Sequence, residues 1–411
     1  MHREHSVNLG RARFAPKRLA DVAGCFLRLG LTSFGGPVAH LGYFREEFVR
    51  RRAWLDDAAF TDLVALCQFL PGPASSQVVF AIGLRRAGLS GALLASACFM
   101  LPSVLLMIGF AYGLTALGPL AQVGWIHGLK LAAVAVVAQA VWGMGQRLCP
   151  DWPRRTLALG AAAALLAWRS PLGPMAAIAA GALLGCWWYR GAAVPAADPA
   201  ARGGRHPAAA AALGSFALLL VALPILAAAT GRKSLAVAAS FYRTGALVFG
   251  GGHVVLPLLR AELVPRHWIS DGSFLAGYGA VQAVPGPLFT FAAYLGTRIF
   301  AGPHGWEGGL LCLAAIFLPG WLLIGGMLPF WHALRRQRPV QAALRGANAV
   351  VVGVLLAALY DPVWTQSVHT GRDAAAAVLA CGLLLALRTP AWLLVLLAAA
   401  AGQWLLGTPA A

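Results

Sequence analysis

The chain is short of charge. Only 11% of its 411 residues are Asp, Glu, Lys or Arg, whereas 59% are apolar, and the mean hydropathy is +0.72. Charge is missing altogether between Arg86 and Lys130, between Arg205 and Arg232, between Asp271 and Arg298, between Glu307 and Arg335, and after Arg388. Each gap could hold a helix that crosses a bilayer, which takes about 20 residues. A soluble domain is thereby excluded in favour of an integral membrane protein. The seven cysteines (Cys25, Cys67, Cys98, Cys149, Cys186, Cys312, Cys381) stand singly. No CxxC pair or His/Cys cluster offers a zinc site, and most lie in apolar runs where Cys packs as a small hydrophobe. Neither a disulfide nor a metal is expected. There is also no P-loop, no nucleotide-binding domain, no nucleophile elbow and no carboxylate pair inside a span. That excludes the common enzyme classes, implies no cofactor, and leaves a gradient to drive any transport. The N-terminus shows no cleavable signal, only a basic tail with Arg3, Arg11, Arg13, Lys17 and Arg18. A net charge of +18 would suggest nucleic acid in a soluble protein. Here the Lys and Arg fall between spans, so membrane orientation explains them and no nucleic-acid partner is expected.

The chain does contain an internal repeat. Phe34-Gly35-Gly36 matches Phe249-Gly250-Gly251, and Trp54, Asp57 and Phe60 match Trp268, Asp271 and Phe274. Gln68 and Pro71-Gly72-Pro73 match Gln282 and Pro285-Gly286-Pro287, and Pro102 matches Pro319. The separation stays between 214 and 217 residues. Paired Gly/Pro-interrupted apolar segments are the sequence mark of a transporter whose site lies between repeats.

Hydropathy gives thirteen segments: 22–42, 62–84, 91–113, 120–145, 155–169, 171–189, 208–229, 240–259, 274–297, 307–330, 342–360, 372–388 and 390–407. The 155–169 and 372–388 segments are short for a full crossing. The chain divides into a basic tail 1–19, a first repeat 20–189, a linker with one unpaired helix 190–230, and a second repeat 231–408. Repeat starts are then seven spans apart, an odd number. The expected fold is an all-α membrane protein of about thirteen helices in two inverted six-helix repeats with broken helices. Alternate loops carry 19 and 9 Lys or Arg. The positive-inside rule therefore puts the N-terminus in the cytoplasm and the C-terminus outside. The cluster Arg45, Arg50, Arg51 and Arg52 falls on the wrong side in this count.

The breaks carry the candidate chemistry. A half-helix starting inside the membrane after Gly35-Gly36 or Gly250-Gly251-Gly252 aims free N–H groups and a positive dipole end at an anion. Close helix packing through small residues is the plainer alternative for one such pair. Two Pro-Gly-Pro triplets abolish backbone donors and free carbonyls that lipid cannot satisfy. A simple kink is the rival for each; duplication with Gln68 and Gln282 favours a shared cavity. Ser75, Ser76 and the amide of Gln77 follow the first triplet, and Thr290 the second. Arg28 and Arg243 are equivalent and sit in apolar segments, where arginine is costly unless it works or snorkels. His40, His253, Glu47 and Glu262 are the candidate proton carriers, although His253 could equally ligate the anion. Arg45 with Glu47, and Arg260 with Glu262, read as structural ion pairs at loop starts. Asp57 and Asp271 read as N-caps.

The run SFGGP…YFREEFVRRRAWLDDAAF…QFLPGPASSQ, with its weaker copy VFGGGHVVLPLLRAELV…WISDGSF…QAVPGP, resembles the chromate ion transporter family in its long two-domain form. The resemblance runs from about residue 20 to 407. It implies export of chromate across the bacterial inner membrane, conferring chromate resistance, with sulfate as a competitor of similar shape and charge. It makes Phe34–Pro37, Phe249–Gly252, Pro71–Pro73 and Pro285–Pro287 the transport core. Gly252 stands where the first repeat has Pro37, so the repeats need not share the work equally. The alternatives are an importer or exchanger of sulfate or another oxyanion, and, from another class, a membrane enzyme acting on anionic lipid head groups, for which no catalytic constellation is visible. A homodimer is compatible with the pattern, which does not require one.

Overall fold

A computed structural model describes residues 16–117, 124–168, 170, 172–189, 206–249, 251–300, 302, 304–331 and 337–406. The basic tail before Pro16, most of the linker, Gly250 and the last residues of the second repeat lie outside the described residues. Among the described residues there is helix and no strand. Five stretches are long and apolar enough to cross a membrane: Ala74–Leu117, Gly124–Leu148, Pro207–Thr230, Gly305–Phe330 and Arg338–Trp364. The protein is a multi-pass all-α membrane protein.

The first unit contains α1 (Pro16–Thr32), α2 (Gly36–Arg45, prolonged by a π-helical stretch Glu46–Arg51), α3 (Asp57–Phe69), α4 (Ala74–Leu117), α5 (Gly124–Leu148), α6 (Trp152–Ala167) and α7 (Gly173–Trp188). The unpaired α8 (Pro207–Thr230) follows. The second unit contains α9 (Lys233–Leu247), α10 (Val255–Leu263, entered by a 3-10 turn Gly252–Val254), α11 (Asp271–Val281), α12 (Phe291–Ile299, entered by a 3-10 turn Leu288–Thr290), α13 (Gly305–Met327), α14 (Arg338–Ala358), α15 (Gly371–Leu385) and α16 (Ala391–Ala401). Within α4 the backbone turns sharply at Ala87 and Gly88, so 74–86 and 89–117 are separate rods.

Four of the expected spans prove to be hairpins. The 22–42 segment breaks after Thr32, and α2 runs back along α1: Ser33 meets His40, Phe26 meets Phe48, and Arg52 meets Asp21. The 240–259 segment does the same, with Arg243 and Ser240 both reaching Glu262. The 62–84 segment turns at Pro71–Pro73 and returns Arg85 to the neighbourhood of Asp62. The 274–297 segment turns at Pro285–Pro287, stacking Phe291 edge-on to Phe274 and Tyr278 and bringing the Tyr294 hydroxyl to the Ser273 carbonyl. Hydropathy cannot separate one crossing helix from two half-length helices folded together, since both are apolar over the same residues.

The hairpins of the two units open towards opposite ends of the molecule. In the first unit Asp21, Arg52 and Arg86 meet at the end where α1 begins, the proximal end. In the second, Lys233 bonds the Ile299 carbonyl and Arg298 bonds Thr115, at the far end of α4. The α13 helix starts at that distal end, where the Trp306 N–H meets the Tyr112 hydroxyl. Its continuation ends proximally, where Trp331 donates to Asp62. Thus α4 and α13 lie antiparallel. The repeat is visible in packing too: Gly30 presses on the Phe99 carbonyl and Gly245 on the Ile316 carbonyl, equivalent contacts that a side chain at either glycine would block.

The last helices are exchanged between units. The α6 and α7 helices pack on α14, and α15 and α16 pack on α5. Close glycines make this possible, Gly185 with Gly346 and Gly128 with Gly402. A buried His127–Asp373 pair at 2.6 Å ties α5 to the start of α15, where Asp373 also closes a capping box with Thr370. The short α6 has 16 residues, about 24 Å of helix. The N-cap expectation was one residue off. Asp56 and Ser270 cap α3 and α11, while Asp57 and Asp271 instead accept Arg45 and Arg260.

Candidate substrate site

The four breaks meet, and each unit completes the other. The Gly72 N–H donates to the Val248 carbonyl at 2.7 Å, joining the first Pro-Gly-Pro turn to the second Gly-rich break. Reciprocally, the Gly286 N–H donates to the Ser33 carbonyl at 2.9 Å. Residues 252–254 also pack on 288–290, which closes the group. The turns need glycine: Gly72 has φ +118 and Gly286 has φ +104. Each lies against the long helix of the opposite unit. A Cβ on Gly72 would stand 3.3 Å from the Gly320 Cα, and one on Gly286 would stand 2.9 Å from the Ser103 hydroxyl. Gln77 fastens the first turn, its amide donating to the Pro71 carbonyl at 2.9 Å and the Gly320 carbonyl at 3.3 Å.

Helices begin at every break: α2 after Gly35, α4 after Pro73, and the two 3-10 turns that lead into α10 and α12. No side chain caps α2 or either 3-10 turn. Their free N–H groups are thus left for another acceptor. Buried hydroxyls without a partner stand nearby on Ser33, Ser76 and Thr244, as does the carbonyl oxygen of the Gln77 amide. Buried polar groups are normally satisfied, so unsatisfied ones at one place are a feature to explain. The Ser75 side chain is buried, and the Thr290 hydroxyl bonds the Pro287 carbonyl at 2.8 Å. Gly35 is exposed, Gly36 and Gly251 are half-buried and Gly252 is buried. Phe34 is half-buried against Trp392 of α16, and Phe249 is half-buried as well. Gln68 is exposed, whereas its counterpart Gln282 is half-buried.

His40 reaches the same crossing. Its Nε2 lies 3.1 Å from the Ser33 carbonyl, which can only accept, so Nε2 carries a proton and the buried Nδ1 has no partner. His253 pairs through Nδ1 with the Tyr278 hydroxyl at 2.7 Å. The arginines point elsewhere. Arg243 makes a bidentate bond to Glu262 at 2.9 and 2.7 Å, supported by Ser240 and Arg266. Arg28 lies 4.0 Å from Glu47, which Arg52 holds at 2.7 Å and Arg51 at 3.1 Å. The expected pairs Arg45–Glu47 and Arg260–Glu262 do not form: Arg45 and Arg260 take Asp57 and Asp271, while Glu47 and Glu262 bind Arg52 and Arg243 along the hairpin arms rather than at the breaks. Arg45 holds the Asp57 carboxyl below the usual carboxylate range, mainly through its two hydrogen bonds.

Sequence reading missed Ser33, Ser103, Thr244 and Gly320, whereas Gln77 stands in the sequence as an amide donor after the first break. A signal existed for two of them, because Ser103 and Gly320 directly follow the matched Pro102 and Pro319. Two surface cavities lie away from the breaks, one of about 330 Å³ at the distal end among Trp168, Pro257, Arg260, Val354 and Asp361, and one of about 610 Å³ among Lys233, Phe300, His304 and Glu307.

The comparisons agree with one another. A chromate transporter family profile matches residues 20–186 and again 235–403. The chain is 30% identical over 343 residues to a chromate transport protein of Pseudomonas aeruginosa, covering 82% of this chain and 79% of that protein. A chromate transport protein of Cupriavidus metallidurans is 26% identical, with 81% and 80% covered. A probable chromate transport protein of Synechococcus elongatus is 25% identical, with 85% and 86% covered. No solved structure matches the chain. With both repeats matched in order and most of the length covered, the chain belongs to the chromate transporter family.

Proposed function

We propose that the protein is a secondary transporter, not an enzyme, that exports chromate from the bacterial cytoplasm across the inner membrane. The reciprocal bonds from Gly72 to Val248 and from Gly286 to Ser33 carry this reading, because they draw four helix starts into one place. Each helix N-terminus is worth about +0.5 charge, so four offer about +2, the complement of a dianion. The ligand set is Phe34, Gly35, Gly36, Gln68, Pro71, Gly72, Pro73, Ser75 and Ser76 from the first unit. Phe249, Gly250, Gly251, Gly252, His253, Gln282, Pro285, Gly286, Pro287 and Thr290 complete it from the second. Arg28 and Arg243 act at longer range from their ion pairs. Export needs no other energy source than the membrane potential. A dianion leaving a negative interior gains about 4.6 kcal/mol per 100 mV, from about 2.3 per elementary charge. Proton coupling, where present, falls to His40, His253, Glu47 or Glu262, of which His40 keeps a buried Nδ1 without a partner.

The hairpins change the proposed membrane topology. The four hairpins become re-entrant, two from each side, and the repeats remain inverted. The N- and C-termini still end on opposite sides, because a hairpin pair and a pair of crossings return the chain to the same side. The cluster from Arg45 to Arg52 now falls on the N-terminal side with Asp21 and Arg86, which removes the exception in the Lys/Arg count, while Arg260 and Arg266 move the other way. A cytoplasmic N-terminus follows from the positive-inside rule.

The test is uptake of labelled chromate into inside-out vesicles under an imposed potential, with excess sulfate as competitor. Potential-driven accumulation supports electrogenic export. Accumulation that follows a pH gradient moves the energy source to protons. Sulfate flux without chromate flux keeps the fold and removes the substrate.

A further inference from the structure

We propose that the exposed face of α3 is a docking surface for α14 of the same chain, free in the conformation seen here and covered when the transporter faces the opposite side. The inference rests on the transporter reading above. It comes from a difference between repeats that their sequences match closely. With the 214-residue offset, Ala58, Thr61, Ala65 and Gln68 of α3 correspond to Gly272, Leu275, Gly279 and Gln282 of α11. At a spacing of three and four residues these form one stripe on each helix. On α3 all four are exposed. On α11 Leu275 and Gly279 are buried, and Gly272 and Gln282 half-buried.

The cover on α11 is α5. Gly279 presses on the Leu129 carbonyl, and the Lys130 ammonium lies 3.3 Å from where a Gly272 Cβ would stand. The counterpart of α5 is α14. Gly128 packs on α16 as Gly346 packs on α7, which aligns Leu129 with Ala347 and Lys130 with Asn348 at an offset of 218. Symmetry therefore assigns the neighbourhood of Ala347 and Asn348 to the stripe on α3. No packing of comparable extent joins α3 to α14. Asn348 also keeps a buried side-chain oxygen without a partner.

A face meant only for lipid would be apolar and indifferent to size. This one carries Thr61 and Gln68 and keeps its other positions at alanine, the size that close helix packing needs. It also runs from the proximal end, beside Asp57, to the Pro71–Pro73 break. The geometry points to a molecule closed distally by α11 on α5 and uncovered proximally along α3, with Ala347 of α14 buried among its present neighbours and freed only when the contact forms. With a cytoplasmic N-terminus, the site is open to the cytoplasm, where chromate for export would enter. Rocking the hairpins against the α5–α7 and α14–α16 helices would exchange the two contacts.

Ala65→Trp tests it. Ala65 is exposed, so the tryptophan fits the present conformation, and normal yield and thermal midpoint are expected. Chromate flux in inside-out vesicles should nonetheless fall at least tenfold, while Leu93→Trp, on an exposed part of α4, should leave it unchanged. In a background with the seven cysteines replaced by alanine, Ala65→Cys with Ala347→Cys should cross-link under oxidant during turnover, stop flux, and recover with reductant. Wild-type flux from Ala65→Trp, or a cysteine pair that does not cross-link with chromate present, overturns the docking surface. Cross-linking in vesicles whose parent protein moves neither chromate nor sulfate keeps the docking and removes the transporter reading instead.

Discussion

Gly286→Ala should cripple transport through backbone strain rather than through loss of a side chain. Gly286 sits at φ +104, beyond the left-handed well that other residues tolerate. A non-glycine residue held in such sparsely populated backbone costs about 1–3 kcal/mol. The new methyl would also stand 2.9 Å from the Ser103 Oγ and 3.3 Å from its Cβ. Ser103 is itself held by a 2.9 Å bond to the Met100 carbonyl, so its displacement puts about 1 kcal/mol more at risk. The strain cannot spread easily, because Pro285 and Pro287 fix the residues on either side. The sum is about 2–4 kcal/mol against the turn, and each 1.4 kcal/mol is a factor of ten. The equilibrium constant for keeping the Gly286–Ser33 bond should then drop by roughly thirtyfold or more. The assay is initial chromate flux into inside-out vesicles, normalised to protein in the membrane, with the denaturation midpoint measured on the same variant. Gly286→Ala with Ser103→Gly should recover the contact part of the loss and not the backbone part. Gly24→Ala, in α1 with nothing within 4 Å of its Cβ, is the control and should transport normally. Wild-type flux and stability from Gly286→Ala would refute the claim that this turn is conformationally required.

Three further outcomes follow from the same contacts. Gln77→Leu removes the amide that joins Pro71 to Gly320 across the units; a stability loss of about 1–3 kcal/mol is expected from the stranded carbonyls, and an unchanged unfolding midpoint would contradict that bridge. Glu262→Ala leaves Arg243 without its partner at a site where the carboxylate is 4% exposed, and should cost about 3–5 kcal/mol, whereas Arg243→Met with Glu262→Leu should recover most of it. Flux restored in that double variant would assign Arg243 to structure and remove it from the anion site. Asp373→Ala breaks the buried bond to His127 and the capping box of α15, again about 3–5 kcal/mol in chemical denaturation, and a change under about 0.5 kcal/mol would mean the exchanged helices are held otherwise.

The breaks of the candidate site were legible because glycine and proline act through the backbone. Gly35, Gly72, Gly251 and Gly286 all take positive φ, and the repeats mark them twice. The direction of the chain after each break was not legible. A helix that continues across a bilayer and one that turns back bury the same apolar residues in lipid, and the difference lies in partners hundreds of residues away, such as Val248 for Gly72. The caps slipped by one residue for a local reason: Asp56 and Asp57 are adjacent, and the choice between them was made by Arg45, which takes Asp57. The α5–α14 match stayed hidden because Lys130 and Asn348 differ in charge, and apart from Gly128 with Gly346 the identities are common apolar residues such as Val134 with Val352 and Val136 with Val354.

The arginines show best why composition misleads about this site. An arginine in an apolar segment draws attention because burying it is costly. For Arg243 that cost is met by Glu262, whereas Arg28 is exposed and reaches Glu47 only at 4.0 Å; the Arg52–Glu47 and Arg243–Glu262 pairs hold the arms of the hairpins together. An anion offered a guanidinium already bound bidentately to a carboxylate would have to displace that carboxylate and leave it buried. The uncapped starts of α2 and of the two 3-10 turns present no such competitor. They also fit a transporter better than four unpaired arginines would. Partial charges that total about +2 can hold a dianion long enough to carry it, and fixed full charges at the same spot would bind it more tightly and release it more slowly. On the proposed reading, a chain with 11% charged residues builds its anion site chiefly from backbone at glycine, with Arg28 and Arg243 acting only at longer range.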